Sequence, residues 1–124
     1  MSDSIFDNIP TSSKPNLVVD IERFIGRPGS FTFREPKTAD YFPRPEVEKM
    51  LRIAYPEFPS QMLLILMIIA RCYVVQSTDG EINPARRFAQ LARDRADIYL
   101  YVSKEFAAAF PIKIDEEVDE VPNV

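Results

Sequence analysis

Residues able to do acid–base, nucleophilic or metal chemistry are scarce in this chain of 124 residues. There is no His, and His is the commonest side chain for general acid–base work and the commonest metal ligand. The single Cys, Cys72, lies inside an apolar run with no imidazole to activate it. Such a thiol reads as a small buried hydrophobe rather than a nucleophile. Asp79-Gly80-Glu81 carries a fragment of a calcium loop's composition. The stretch from Ser77 lacks the spaced acidic ligands and closing Glu of that loop, so it reads as a polar turn before a helix. The three Gly residues form no phosphate-cradling loop. Neither catalysis nor a metal or cofactor is expected, and the protein is read as non-enzymatic.

Charge offers two further candidates. Arg86, Arg87, Arg93 and Arg95 could line one basic helix, the feature of a small nucleic-acid-binding regulator. Asp94 and Asp97 interrupt that patch, and the chain's net charge is −4, whereas nucleic-acid binding calls for basic excess. The patch therefore reads as a solvated helix face. Asp115, Glu116, Glu117, Asp119 and Glu120 crowd the last ten residues. The rest of the chain is close to neutral, so the acidity belongs to a segment that either keeps the protein soluble or competes for a basic surface.

The elements that must position these residues are dominated by one. Met62 to Ala70 is apolar without a break, and the pattern resumes after Arg71 as Cys72-Tyr73-Val74-Val75. A helix apolar on every side must be buried on every side. The run falls short of the roughly 20 residues needed to cross a membrane, so it reads as a buried helix from Ser60, as N-cap, to Val75 or Gln76. Either short neighbours wrap it fully or part of it is left for another protein. In the second case Met62, Leu63, Leu66, Met67, Ile69 and Tyr73 are the contact candidates.

Around this helix the chain divides into a flexible arm over 1–16, a mainly helical domain over 17–110 and an acidic tail over 111–124. Ile5, Phe6 and Ile9 could dock the arm on a partner. Leu17–Ile25 reads as a strand or a short helical turn. Phe31 and Phe33 alternate with Thr32 and Arg34, the period of a half-buried strand. The two segments would form a small hairpin about Gly26-Arg27-Pro28-Gly29. Thr38 is a candidate N-cap. Pro45 opens a helix whose apolar face is Val47, Met50, Leu51 and Ala54. Asn83 caps a last helix, with Pro84 at its first position, running to about Ala109 along Phe88, Leu91 or Ala92, Ile98 or Tyr99, Val102 and Phe106. Arg93 and Asp97 stand four apart on its polar side. The expected fold is therefore mainly α, with about three helices and a short N-terminal β-hairpin. A single Cys permits no internal disulfide and points to a reducing cytoplasm. Met-Ser-Asp-Ser lacks the marks of a signal peptide.

Phe31-Thr32-Phe33-Arg34-Glu35-Pro36-Lys37-Thr38-Ala39-Asp40-Tyr41 resembles a stretch found in the tail assembly chaperones of long-tailed bacteriophages. There a short strand ends in a charged residue and Pro, and Thr or Ser, Ala, Asp and an apolar residue open a helical region. The layout over 29–110 is similar too, although Pro43 and Pro45 interrupt the start of the helical region. The resemblance implies a homo-oligomer in the host cytoplasm that binds the helical tape measure protein, keeps it soluble, and leaves as tail tube protein polymerises around it. It also implies that a longer form can arise by ribosomal frameshifting. The other readings are a structural head–tail connector or completion protein and the nucleic-acid-binding regulator.

Overall fold

The computed structural model describes residues 14–111. Strand β1 (Leu17–Asp20) pairs antiparallel with β2 (Ser30–Phe33) in the register Leu17 to Phe33, Val18 to Thr32, Val19 to Phe31 and Asp20 to Ser30. Leu17, Val19, Phe31 and Phe33 thus share the face turned to the core. Both readings of Leu17–Ile25 are realised in succession, because the connection holds a one-turn helix, α1 (Glu22–Ile25). Asp20 Oδ1 accepts the Glu22 N–H at 2.8 Å. Gly26, at φ 74°, closes the turn by donating to Glu22 O at 2.8 Å. The hairpin therefore exists, but about a helical turn rather than about Gly26–Gly29 alone.

Helix α2 (Pro45–Ala54) starts at its Pro as expected, carries Glu46 and Glu48 in its first turn and buries Leu51. Ala54 is exposed, and Tyr55 just beyond the helix takes its place in the core. Helix α3 (Ser60–Cys72) is the apolar run. Pro59, not Ser60, occupies its cap position, without a side-chain bond. The Ser60 hydroxyl instead accepts from Arg52 Nη2 at 3.1 Å, and the same guanidinium holds Glu48 at 2.7 Å.

The helix stops at Cys72, short of the expected Val75 or Gln76. Beyond it the chain is extended and forms a second edge for β2. Arg34 N–H donates to Cys72 O at 2.9 Å, Val74 N–H donates to Thr32 O at 2.8 Å, and Phe33 faces Tyr73 in an antiparallel bridge. Tyr73, Val74 and Val75 are β-formers, and pairing with β2 decides what the apolar pattern leaves open.

The long last helix is two helices, α4 (Pro84–Asp94) and α5 (Ala96–Ala109), broken at Arg95 with φ −138° and ψ 73°. Ala85, Phe88, Ala89 and Ala92 make the buried stripe of α4. Carried on at 3.6 residues per turn, that stripe would reach Arg95 and Ala96. The apolar residues fall instead at Ile98, Tyr99, Val102 and Phe106, turned around the axis. A straight helix could bury only one of the two stripes, and the break lets both face inward. Asn83 caps α4 as expected, accepting the Arg86 N–H at 3.3 Å. The expected Arg93–Asp97 pairing does not form. Asp97 binds Arg95 across the break at 3.0 Å, and Arg93 lies over the Tyr55 ring at 4.9 Å.

In the packed domain α3 lies against α2 and α4, α4 packs on α5, and α5 lies on β1. Phe33, at 0% exposed, is the hub, with ring centroids of Tyr73, Phe88 and Phe106 within 5.9 Å. The domain begins before Leu17. Lys14 donates its N–H to Glu35 Oε1 at 3.0 Å and its Nζ to Ala109 O at 3.1 Å, so the end of the expected arm is fastened to the body. Ile5, Phe6, Ile9 and the acidic residues 115–120 lie outside the described residues. Among the described residues no helix is long and apolar enough to cross a membrane.

Candidate functional site

The stretch from β2 into the helical region builds an ionic latch. A 3-10 turn over Thr38–Tyr41 follows Pro36 and Lys37, and the side chain that caps it is Asp40, not Thr38. Asp40 Oδ2 accepts the Lys37 N–H at 2.7 Å. The carboxylate is only 5% exposed and is the one charged group in the core among the described residues. Arg34 grips it with both ends of its guanidinium, Nη1 to Oδ2 at 2.7 Å and Nη2 to Oδ1 at 3.0 Å, the strong two-point geometry of Arg with carboxylate. Arg34 Nη2 also donates to Arg71 O at 2.9 Å, one of the carbonyls left unpaired at a helix end. Arg71 Nε stands 3.8 Å from Oδ1. One arginine thus ties the end of β2, the 3-10 turn and the end of α3 together. The Arg34 hydrogen bond outweighs burial, and with the Lys37 N–H and the charge of Arg71 it holds the Asp40 carboxyl at about 2. Cys72, fully buried with Sγ 3.8 Å from Oδ2, responds in the opposite sense. Burial first, then the Asp40 charge, push its thiol up to about 12, so it is packed as a neutral group.

Two concavities meet at this latch. The first is an apolar groove of about 100 Å3 between the 3-10 turn and α3, lined chiefly by Phe42, Pro43, Leu63, Leu64, Met67 and Ile68. Its floor is buried, but Phe42 is 59% and Leu64 50% exposed. The second, of about 510 Å3, shares Asp40, Met67 and Arg71 with the groove and adds Arg34, Arg44 and the first residues of α4.

A third hollow, of about 440 Å3, lies between Phe31, Tyr73, Phe88 and Leu91. There Tyr73 donates its hydroxyl to Asp79 Oδ2 at 2.7 Å, and burial followed by that carboxylate pushes the phenol up to about 12. Asp79 also accepts the Gln76 N–H at 2.8 Å and so caps its own 3-10 turn. The polar turn before α4 is thus a capped connector. Among the described residues no group of three or more acidic or Cys side chains could hold a metal ion. Gly80 follows at φ 71° and ψ −153°, a conformation essentially confined to Gly. Gly80→Ala is expected to destabilise by about 1–3 kcal/mol through backbone strain alone, since nothing lies within 4 Å of the added methyl. A shift of the urea midpoint at unchanged slope would show it.

Of the contact candidates, Leu63, Leu66, Met67 and Ile69 are buried in the domain's own core, while Met62 and Tyr73 are half-buried. Leu63 and Met67 line the groove, and Tyr73 belongs to the other two hollows. Leu66 and Ile69, both 0% exposed, are packing residues. The chain wraps most of its apolar helix itself. The side it leaves open is marked by Leu64, which, like Phe42 and Asp40, is not among the contact candidates. The acid three residues after Lys37 is the sequence signal for a capped turn that could have found Asp40. The four arginines of the suspected basic patch are drawn apart. Arg93 turns to Tyr55, Arg95 to Asp97 and to Phe24 O at 3.3 Å, and Arg86 and Arg87 line a hollow with Asp79 and Glu81.

No protein-family model, curated protein or solved structure matches the chain.

Proposed function

We propose that the protein is a non-enzymatic assembly chaperone that holds apolar helical segments of a tape measure protein in the groove between Phe42, Pro43 and Leu64. One observation carries the reading. A chain that encloses most of its apolar central helix keeps two large apolar side chains in solvent at one groove with a buried floor. Exposed apolar surface gathered in this way marks interaction sites. A groove of this size admits side chains rather than a domain, which suits the i, i+4 anchors of an amphipathic helix laid along it. The latch beneath holds the groove walls fixed, so binding need not order them first. The resemblance around Phe31–Tyr41 supplies the client.

The test is co-expression with the tape measure protein encoded in the same genome. The chain is expected to keep that client soluble and to co-purify with it. Phe42→Asp with Leu64→Asp should leave thermal stability nearly unchanged, because both side chains are exposed. It should weaken binding more than about tenfold, since central apolar anchors each contribute about 1–2 kcal/mol or more. A client that stays insoluble beside the intact chain, undiminished binding by the variant, or a stoichiometric place for the chain in finished virions would overturn the proposal.

A further inference from the structure

The second concavity is an arginine-lined site with donors to spare. Arg34, Arg44 and Arg71 line it against the single carboxylate of Asp40. Arg34 gives its terminal nitrogens to Asp40, Glu35 O and Arg71 O, but its Nε has no partner among the described residues. Arg71 reaches Phe42 O only at 3.4 Å. Arg44 makes no ion pair among the described residues. After Asp40 is counted, the cavity carries an excess of two positive charges beside apolar walls from Met67 and Ala70. That combination suits a run of carboxylates with aliphatic stems.

Such a run is part of this chain. The described residues hold fourteen basic and twelve acidic side chains, whereas residues 112–124 hold one Lys and five carboxylates. The last described residues are tied to the same arginine. Ala109 O is held by Lys14, Lys14 N–H is held by Glu35, and the carbonyl of Glu35 is held by Arg34 itself at 3.2 Å. Three residues lie between Pro111 and Asp115, and the four steps along the chain reach up to about 13 Å.

We infer that the cavity lined by Arg34, Arg44 and Arg71 is a carboxylate-binding site filled in cis by the acidic segment Asp115–Glu120. Single exposed ion pairs are weak. A tethered segment meets its site at an effective concentration of order millimolar, and several carboxylates share the two open arginines and the excess charge. Because Arg71 and Met67 also line the apolar groove, a segment seated here lies beside the client site without needing a client.

The experiment uses the intact isotope-labelled chain with a nitroxide on Val118→Cys. Cys72 is buried and its thiol stays neutral, so it takes no label. At low salt, amide signals of Arg44, Arg71 and Ala85 are expected to lose the most intensity. Intensity should return in about 1 M salt, where the Debye length falls to about 3 Å. It should also return with Arg44→Ala, which leaves the Asp40 latch untouched. A second variant replaces Asp115, Glu116, Glu117, Asp119 and Glu120 by Asn or Gln and should abolish the effect. Broadening centred elsewhere, or insensitive to salt and to Arg44→Ala, overturns the inference. So does broadening seen only when labelled and isotope-enriched chains are mixed, which would place the segment on another copy. No client enters this measurement, so its outcome is separate from that of the chaperone proposal.

Discussion

Phe33→Ala should lower the stability of the domain by about 3–5 kcal/mol, the range for deleting a fully buried aromatic ring. Phe33 is 0% exposed and packs against Phe31, Tyr73, Phe88 and Phe106, with centroids 5.6 to 6.4 Å away. Those neighbours come from β2 itself, from the extended chain after α3, from α4 and from α5, so one ring joins most of the domain. The cavity cannot collapse by a backbone shift, because β2 is hydrogen-bonded to β1 on one edge and to Cys72–Val74 on the other. Domains of this size have only about 5–15 kcal/mol to lose. Urea titration should show a much lower midpoint at the same slope. Phe31→Ala, at a half-buried position on the same face, should cost clearly less. Equal losses at the two sites would mean that Phe33 is no hub.

The contrast between these two positions shows what the sequence can and cannot tell. The alternation of Phe31 and Phe33 locates the strand and its inner face. It does not say that the ring of Phe33 meets three others besides Phe31, because those come from elements about 40 to 73 residues away. The helix starts at Pro45 and Pro84 are readable because a cap or proline signal is local. Two helix ends are not. The apolar run continues through Tyr73 to Val75, and only pairing with β2 stops the helix at Cys72. The break at Arg95 was present as an ambiguity, Leu91 or Ala92 and Ile98 or Tyr99, that marks two stripes out of phase. The site was less legible than the fold. The apolar run from Met62 to Ala70 hides its open side; Gln61, three residues before Leu64, and Arg71, seven after it, stand on Leu64's face and set it apart from Leu63. Asp40 lay within the stretch that carried the family resemblance, yet its role depends on Arg34 and on the end of α3, which sequence spacing does not bring together.

Arg34→Met should cost about 3 kcal/mol and blunt the acid response that Asp40 gives the domain. Removing one partner of a buried pair leaves the other charge uncompensated, and here that charge is Asp40 at 5% exposure. In the intact chain the carboxyl is held at about 2 against a usual 3.8. A depressed folded-state pKa stabilises the fold above the unfolded value, and that stability is lost as pH falls from about 4 towards 2. The contribution is about 2 kcal/mol at 1.4 kcal/mol per unit. Without Arg34 the largest lowering influence is gone, and burial, the next in size, opposes the Lys37 N–H and the Arg71 charge that remain. The folded-state carboxyl then lies nearer its unfolded value, so the variant loses less stability than the parent as pH falls from about 4 towards 2. Asp40→Asn added to Arg34→Met should recover part of the loss at pH 7 and flatten the response, because no charge remains to be stranded. Urea midpoints of the four proteins between pH 2 and 7 form a double-mutant cycle that isolates the pair. If Arg34→Met loses stability on acidification as steeply as the parent, the Asp40 carboxylate is not held by Arg34. The latch that fixes the groove wall would then rest on the Lys37 N–H and Arg71 alone.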